Sequence, residues 1–537
     1  MPWHPDDLAL GRLRYLLDFD WGGDVYYLSD GAVDVEQTFD GAAYTYTAGL
    51  EFDRAVRDRS DLFRRSPEER KQAAVVHLAG LVDVPARVAA GHSLRAATGR
   101  LWAWIEGTDS RQLLLDGEVR EPVYGSPGNV HAVEFTLTEN PNEDRALLPD
   151  NARAKVLDGV TWSARDEAIE AEWYPMVIGK PGNAGAGAAP YVYATPAQFV
   201  DTGADLLLVA DGEVGTGNVR VKNFTTNGAA NLAIAATADS LGRRVAVVDF
   251  TGASWTPTST APSPGDDLWV AWDVTSGGTR GLDGSTLEGA GDVVEFFLAR
   301  SPLRYDAGRI AAIKPRLNAY TLAGYIQPGP DERLSPWEWL RSEVLPLLPV
   351  GIRSGPEGIY LVLYDPDASD AVAILDTEIN CERESAIADE DGDRYSEIRF
   401  AYEYRGEEDK PNAVAVVTGS EVVAAQEGIT VDPYLAAGRA QFGERVLEAK
   451  SAMVYDSDTA TRIASWMARR YALPSRTVSY DVDPVLAWIE PGDVVELTDA
   501  ELAISRSIAQ VDERLIQPDG RLLLVIRLWP RVGDLRS

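Results

Sequence analysis

The chain of 537 residues has a single cysteine, Cys381, and only four histidines. One thiol cannot form an internal disulfide, and it excludes zinc or iron–sulfur sites built from several cysteines. No run of about 18 apolar residues occurs, so the sequence predicts no membrane span. Met1–Asp7 lacks the basic start and apolar core of a secretory signal. We therefore expect a protein assembled in a cytoplasm, with no cofactor.

Sequence motifs of the common enzyme classes are also missing. There is no His-Glu-x-x-His, no Gly-x-Ser-x-Gly and no Gly-rich phosphate loop ending in Lys-Ser or Lys-Thr. Glu338 stands between Trp337 and Trp339, as carboxylates do in some carbohydrate-active sites. Glycoside hydrolysis needs two carboxylates at a set separation, and the aromatic pair does not supply the second. The sequence thus predicts no catalytic and no cofactor-binding residues, and we expect the chain not to be an enzyme.

Positive charge is scarce. The formal net charge is −34 and the isoelectric point is about 4.5. A field of this sign repels polyanions, so we expect no sequence-specific nucleic-acid binding and no adhesion to anionic lipid. An acidic wall suits a conduit through which DNA passes, although an acidic surface also serves solubility alone.

One acidic cluster resembles a calcium loop. Asp389, Asp391 and Asp393 alternate beside Gly392. A calcium loop of the helix–loop–helix kind has glycine at its sixth position and glutamate at its twelfth. Here glycine is fourth and Phe400 is twelfth, so we favour an acidic turn between two strands and predict no metal site. Whether calcium binds near the three aspartates is left open at this stage.

Turn and linker segments that contain Gly and Pro divide the chain into four predicted domains. The divisions are a β-rich domain with a helical insertion over 1–150, a linker and inserted β-sandwich over 151–290, an α+β middle domain over 291–435, and a helix plus β-barrel over 436–537. The predicted fold class is mainly β with α+β parts, in several domains. The charged stretch Arg54–Gln72 supplies the helical insertion, because Ser66-Pro67-Glu68-Glu69 is typical of a helix start.

The block over 190–290 shows the strongest sign of being an independent unit. The small-residue segment Asn183–Pro190 leads into five short runs rich in Val, Leu and Ile, each typical of a strand. We expect this block to project outward, with Trp255 and the Thr/Pro/Ser loop after it forming an exposed binding edge. Further on, Ser335 and Pro336 predict a helix start, with Trp339 on its apolar face.

The last hundred residues carry the most specific pattern. Thr459–Tyr471 spaces Ile463, Trp466 and Met467 as one helical stripe that can pack on a sheet. Strands are predicted at the end of the chain, at Arg476–Val482, Val494–Thr498 and Leu522–Leu528, with a turn at Pro491-Gly492-Asp493 before the second.

This ordered set of helix, strand, Pro-Gly-Asp-Val-Val-Glu-Leu turn and closing hairpin resembles the C-terminal domain of the tail-hub proteins of long-tailed bacteriophages. The resemblance implies two tube-like β-barrels, a helical and stranded middle domain, and a homotrimer that joins the six-fold tail tube to a three-fold tip around a DNA channel. It also implies partners: the distal tail protein ring, the tape-measure protein and tip or fibre proteins. The implied location is the virion tail tip.

Two other functions fit parts of the sequence. The chain is a receptor-binding tail protein if the inserted sandwich is its functional part. It is a carbohydrate-active protein if the acidic and aromatic residues form a sugar site, although the missing secretory signal disfavours a secreted enzyme.

Overall fold

The computed structural model describes residues 13–39, 41–51, 56–59, 71–95, 97–126, 128–139, 162, 174–182, 191–201, 204–211, 214–215, 217–238, 244–272, 278–279, 281–301, 304–327, 334–355, 357–364, 370–389, 392–517 and 521–530. Six sheets and seven α-helices are seen in these ranges. The fold is mainly β with α+β parts, as the sequence predicts.

The first domain is a β-barrel with one short helix. Its strands follow the order β3-β4-β2-β1-β8-β9-β10-β7-β5. The elements of this part of the chain are β1 (Leu13–Trp21), β2 (Asp24–Ser29), β3 (Val35–Phe39), β4 (Ala42–Ala48), β5 (Leu50–Glu51), β6 (Val56–Arg59), β7 (Lys71–His77), α1 (Val84–Ala89), β8 (Thr98–Ile105), β9 (Arg111–Ser126) and β10 (Asn129–Glu139).

Gly49 closes this barrel. It lies between β4, which pairs with β2, and β5, which pairs with β7, so one broken strand joins the two ends of the sheet. A Cβ at Gly49 would lie 2.6 Å from the carbonyl oxygen of His77. Only glycine allows β5 to approach β7 this closely.

The segment predicted as a helical insertion contains strand β6, so that prediction was wrong for residues 56–59. Val56–Arg59 is a strand, and it pairs with residues of the C-terminal barrel instead of its own. A charged four-residue run has little strand propensity of its own, and pairing with a long partner strand overrides that preference. The predicted helix start at Ser66–Glu69 lies outside the described residues.

The inserted block is a seven-stranded antiparallel sandwich. The strands are β12 (Thr195–Pro196), β13 (Gln198–Asp201), β14 (Leu206–Asp211), β15 (Asn218–Asn223), β16 (Gly228–Ala238), β17 (Arg244–Asp249) and β18 (Leu268–Trp272), after β11 (Met176–Ile178). The long strand β16 pairs with β15 through its first half and with β17 through its second, so it passes from one layer to the other. Trp255 is 4% exposed within the core between the layers, and our expectation of an exposed Trp255 was wrong.

The middle domain combines helices with two small sheets. Its elements are α2 (Ala290–Arg300), α3 (Ala307–Leu317), β19 (Gly324–Ile326), α4 (Pro336–Trp339), β20 (Val350–Gly355), β21 (Gly358–Leu363), β25 (Glu397–Arg405), β26 (Lys410–Thr418), α5 (Glu421–Glu427), α6 (Pro433–Phe442), β27 (Val446–Lys450) and α7 (Ser457–Tyr471). The side chain of Ser335 caps α4 by accepting a hydrogen bond from Glu338 N, as predicted. Strand β19 pairs with β11, which ties the middle domain to the base of the sandwich.

Helix α7 packs on the middle domain, where we had expected it to accompany the C-terminal barrel. Its buried residues Ile463 and Trp466 join the core formed by β25, α2 and α4. The indole Nε1 of Trp466 donates to the carbonyl oxygen of Leu347 at 2.8 Å. Trp466 is buried, as predicted, but the sheet beneath the helix is β26-β25-β27. The division of the chain into four domains with the stated boundaries stays a prediction.

The C-terminal barrel follows the order β22-β29-β30-β31-β28-β23. Its strands are β22 (Ala371–Asp376), β23 (Cys381–Arg383), β24 (Ala388–Asp389), β28 (Arg476–Val482), β29 (Val494–Asp499), β30 (Ile504–Ile516) and β31 (Leu522–Leu528). One chain segment pairs with β29 through β22 and with β28 through β23, so it joins both ends of this sheet as Gly49 does in the first barrel. Val494 and Leu497 are buried, as predicted.

None of the helices in the described ranges is long and apolar enough to cross a bilayer.

Trp466 offers a test of the helix placement. Trp466→Ala removes a buried ring and should lower the stability of the middle domain by about 3–5 kcal/mol. Trp466→Phe keeps most of the apolar volume and loses the bond to Leu347, so it should cost less. Calorimetry of the purified chain measures both changes. Equal, negligible effects of the two substitutions would contradict the packing of α7 on β25.

Candidate functional site

Asp389 and Asp393, the aspartates of the acidic turn that the structure describes, accept hydrogen bonds from arginine side chains. Asp389 Oδ1 accepts from Arg476 Nε at 3.1 Å, and Asp393 Oδ1 accepts from Arg445 Nη1 at 3.1 Å. Asp391 lies outside the described residues. Among the described residues no group of three potential metal ligands from His, Cys, Asp and Glu is found.

The other residues singled out in the sequence do not come together as a catalytic site in the described ranges. Trp337 and Trp339 are 8% and 5% exposed and belong to the middle core, so they offer no open ring beside the exposed Glu338. His77 Nδ1 lies 2.9 Å from Asn129 Nδ2, and its Nε2 lies 3.2 Å from Glu51 Oε1. This histidine holds two strands of the first barrel together.

The first joint of the molecule connects the two barrels. Strand β6 pairs with β30 over four residue pairs, from Val56↔Ile516 to Arg59↔Glu513, beside the end of β29. The buried apolar residues of both barrels also form one continuous cluster. One chain therefore holds two barrels in a fixed relation through backbone hydrogen bonds and shared apolar burial.

The second joint is the Pro491-Gly492-Asp493 turn, which packs on β21. Gly492 has φ +96°, and a Cβ there would lie 2.6 Å from Cγ2 of Val362. The amide of Gln510 donates to Leu363 O at 2.9 Å and to Gly492 O at 3.0 Å. The glycine that the sequence marks only as a turn is thus also required for the contact between barrel and middle domain.

A cluster of charged side chains lies at this contact between the C-terminal barrel and the middle domain. Arg309 of α3 forms an ion pair with Glu490, its Nη2 lying 2.5 Å from Oε2, and its guanidinium stacks 4.2 Å from the ring centroid of Tyr360. The backbone N–H of Glu490 donates to Asp493 Oδ2 at 2.8 Å. Burial raises the pKa of Asp493 to about 6, and Glu490 adds to the rise, against the opposing effects of the Glu490 N–H, Arg309 and Arg514.

A third contact joins the end of β31 to α7. Arg527 donates to both oxygens of Asp512, at 3.0 Å from Nε and 2.6 Å from Nη2, and both side chains are buried. Next to it the rings of Tyr364 and Trp529 lie edge to face at 5.9 Å, and Arg470 of α7 lies 5.5 Å from the Tyr364 ring centroid. The Arg527–Asp512 pair joins β31 to β30 within the barrel, whereas the Tyr364 ring links Trp529 at the end of the barrel to Arg470 of the middle domain.

One strand of the C-terminal barrel presents an open edge. Strand β22 pairs with β29 on one side, and no other described strand pairs with its second side. Val372 and Ile374 on this strand are 45% and 50% exposed. The side chain of Asn380 covers the end of this edge, because its Nδ2 donates to Ile374 O and its Oδ1 accepts from Asp376 N, each at 2.9 Å. The part of β22 before Ile374 has no described strand on this side, and such an edge is a template for pairing with another chain. The sequence does not identify β22 as an edge strand. The alternation of apolar and polar residues predicts a strand but not which neighbours pair with it.

The C-terminal part matches a known family. Residues 376–511 match the family model described as "Putative phage tail protein". The match contains the acidic turn, helix α7 and the Pro491-Gly492-Asp493 turn, and it confirms the resemblance to phage tail proteins that the sequence indicated. A comparison with curated proteins found no match.

Three solved structures align along most of this chain with low identity and low TM-scores. The tail protein from Neisseria meningitidis MC58 is 11% identical, with 96% of each chain covered and a TM-score of 0.39. The 43 kDa tail protein of prophage MuSo2 from Shewanella oneidensis is 9% identical, with 97% of this chain and 100% of that chain covered and a TM-score of 0.33. A chain in the virion of the native gene transfer agent particle is 13% identical, with 74% and 90% covered and a TM-score of 0.37. These scores are too low for the superpositions to support an assignment.

Asp493 makes the stability of the second joint depend on pH. Its folded pKa of about 6 lies above the ordinary value of 3.8, so the folded chain holds this proton more tightly than the unfolded chain. Stability from this group is therefore complete below about pH 4 and is lost as pH rises through about 6, by up to about 3 kcal/mol. Asp493→Asn should remove that slope in thermal unfolding measured across this range.

The matched control is Asp483→Asn, an exposed position in the preceding connection that also loses one carboxylate. It should keep the pH slope of the parent chain. An Asp493→Asn chain with the parent slope would contradict the burial of this carboxyl at the joint.

Proposed function

We propose that this phage tail protein is the central hub of a tail tip or baseplate and works as a homotrimer around the tail axis. Three copies would form a ring that joins the six-fold tail tube to the three-fold tip and leaves a channel for DNA delivery. The match of residues 376–511 to a phage tail family is the premise of this proposal.

The observation that carries the proposal is the joint between the two barrels. Strand β6 leaves the first barrel and completes pairing along β30 of the second, and the two share one apolar core. A chain with two barrels held in this way presents two barrel units at a fixed spacing. Three such chains present six, which is the number needed to continue a six-fold tube.

The open edge of β22 supports an assembled state. Val372 and Ile374 expose apolar side chains on this strand, which favours aggregation unless a neighbour covers them. In the proposed ring this strand contacts the adjoining copy. Permanent interfaces of this type commonly bury about 2,000 Å² or more, which a sheet edge and barrel exterior together can supply.

The charge of the chain suits a DNA conduit. With a net charge of −34, the ring would not retain DNA by phosphate contacts, and we propose no sequence-specific nucleic-acid binding. The proposed neighbours are the distal tail protein ring above, the tape-measure protein within the channel, and tip or fibre proteins below. Assembly would take place in the host cytoplasm and the protein would reside at the virion tail tip.

A reconstruction of tail tips with this chain labelled tests the assignment. We expect three copies in a closed ring on the tail axis. Copies in peripheral arms would support the receptor-binding alternative, and two-fold or six-fold copies of this chain would exclude the trimeric hub.

Ile374→Lys tests the role of the β22 edge. A charge on this exposed residue leaves the barrel core intact, so the purified chain should melt within about 1 °C of the parent protein while its incorporation into tails falls at least tenfold. Ile379→Lys is the matched control, because Ile379 is 79% exposed in the turn after the strand. Normal incorporation of the Ile374→Lys chain would exclude β22 from the interface.

We also expect no hydrolysis of peptidoglycan or glycans by this chain. The aromatic neighbours of Glu338 are buried, so Glu338→Gln should leave infection and tail assembly unchanged. Release of reducing sugar by the parent protein, lost in Glu338→Gln, would contradict this and support the carbohydrate-active alternative.

A further inference from the structure

The outer face of the sandwich layer β12-β18-β15 collects aromatic rings and cations. We call this surface the aromatic face and define it by Tyr191, Arg220, Lys222, Phe224 and Trp269. All five side chains are half-buried. The strand register places Arg220 opposite Asn231 and Lys222 opposite Trp269, so charged and aromatic groups lie in adjacent rows of one sheet.

Arg220 is held in a defined position. Its guanidinium carbon lies 4.5 Å from the ring centroid of Tyr191, its Nε donates to the hydroxyl of Tyr193 at 3.2 Å, and its Nη1 donates to Asn231 Oδ1 at 3.0 Å. Nη2 makes no hydrogen bond within the described part of the chain. A preorganised guanidinium with donors to spare is suited to binding a carboxylate.

Lys222 adds a second positive charge. Its ammonium lies 5.6 Å from the ring centroid of Phe224 and donates to the backbone oxygen of Asn227 at 3.3 Å. Arg220 and Lys222 thus place two cations two residues apart on one strand of an acidic chain. Asp267 also lies at this face, where its Oδ1 accepts from Trp269 Nε1 at 2.7 Å.

The middle domain borders the aromatic face. Gly406, in the turn between β25 and β26, leaves room for the Trp269 ring, because a Cβ there would lie 2.0 Å from Cζ3. Gly406 N also donates to Tyr193 O at 2.9 Å. Next to this contact, burial raises the pKa of Glu407, with a smaller rise from Glu408 and Asp267 against a lowering by Arg405. The middle domain therefore covers the aromatic face at Trp269, and Tyr191 and Arg220 are half-buried beside it.

We infer that the aromatic face binds a carboxylate-bearing glycan. Arg220 and Lys222 would engage the carboxylate, the rings of Tyr191 and Phe224 would contact sugar faces, and Asn231 would hydrogen-bond hydroxyl groups. An acidic peptide shares the charge but lacks flat faces of axial C–H groups, so the paired rings favour the glycan. This inference does not depend on the hub assignment, since it concerns the sandwich alone.

Titration of the full chain with short oligogalacturonates tests the inference. Binding should be measurable by calorimetry and should weaken at least tenfold in both Arg220→Ala and Tyr191→Ala. The same chain should bind neutral malto-oligosaccharides at least tenfold more weakly. Arg244→Ala is the matched control, because Arg244 begins β17 in the other layer of the sandwich, and it should bind as the parent chain does.

Three outcomes would overturn the inference. The first is no oligogalacturonate binding at millimolar concentration. The second is an equal loss in Arg244→Ala, which would indicate general attraction of anions. The third is equal or tighter binding of poly-glutamate, which would indicate a peptide site. Circular dichroism melting of each variant distinguishes a lost contact from a lost fold.

Discussion

The pairing of β6 with β30 brings a segment near the beginning of the chain to one near its end and holds the two barrels together. Between these strands the chain must form the rest of the first barrel, the sandwich and the middle domain. Closing so long a loop costs conformational entropy that grows only slowly with length, so one strand pair with a shared apolar core can maintain the closure. Each barrel in turn closes through a single broken strand, at Gly49 and between β22 and β23.

Polar contacts fix the angle between the middle domain and the C-terminal barrel. Gly492 lets the barrel turn approach Val362, and Arg309 then meets Glu490 across the joint. The Tyr364 ring also links Trp529 at the end of the barrel to Arg470 of α7. Removing Arg309 would leave the largely buried Glu490 without this ion pair, so the contact favours one arrangement of the two domains. The proposed ring would need such a defined angle, because small errors would repeat in every copy.

The sandwich is connected to this framework at its base and along one side. Strand β11 pairs with β19, and the turn at Gly406 packs on Trp269. The proposed assembly edge on β22 and the proposed ligand face on the sandwich lie on different domains.

Local sequence patterns were enough to predict the mainly β fold class, the cap at Ser335, most strands of the sandwich and the family resemblance of the last hundred residues. Tertiary structure decided which surfaces meet. The stripe on α7 predicted that Trp466 is buried, but periodicity does not identify the sheet that covers it. Trp255 was expected on a surface and lies in a core, because a loop sequence does not reveal the direction of one ring. Strand β6 was missed because Val-Arg-Asp-Arg becomes a strand only through hydrogen bonds to a partner more than four hundred residues away.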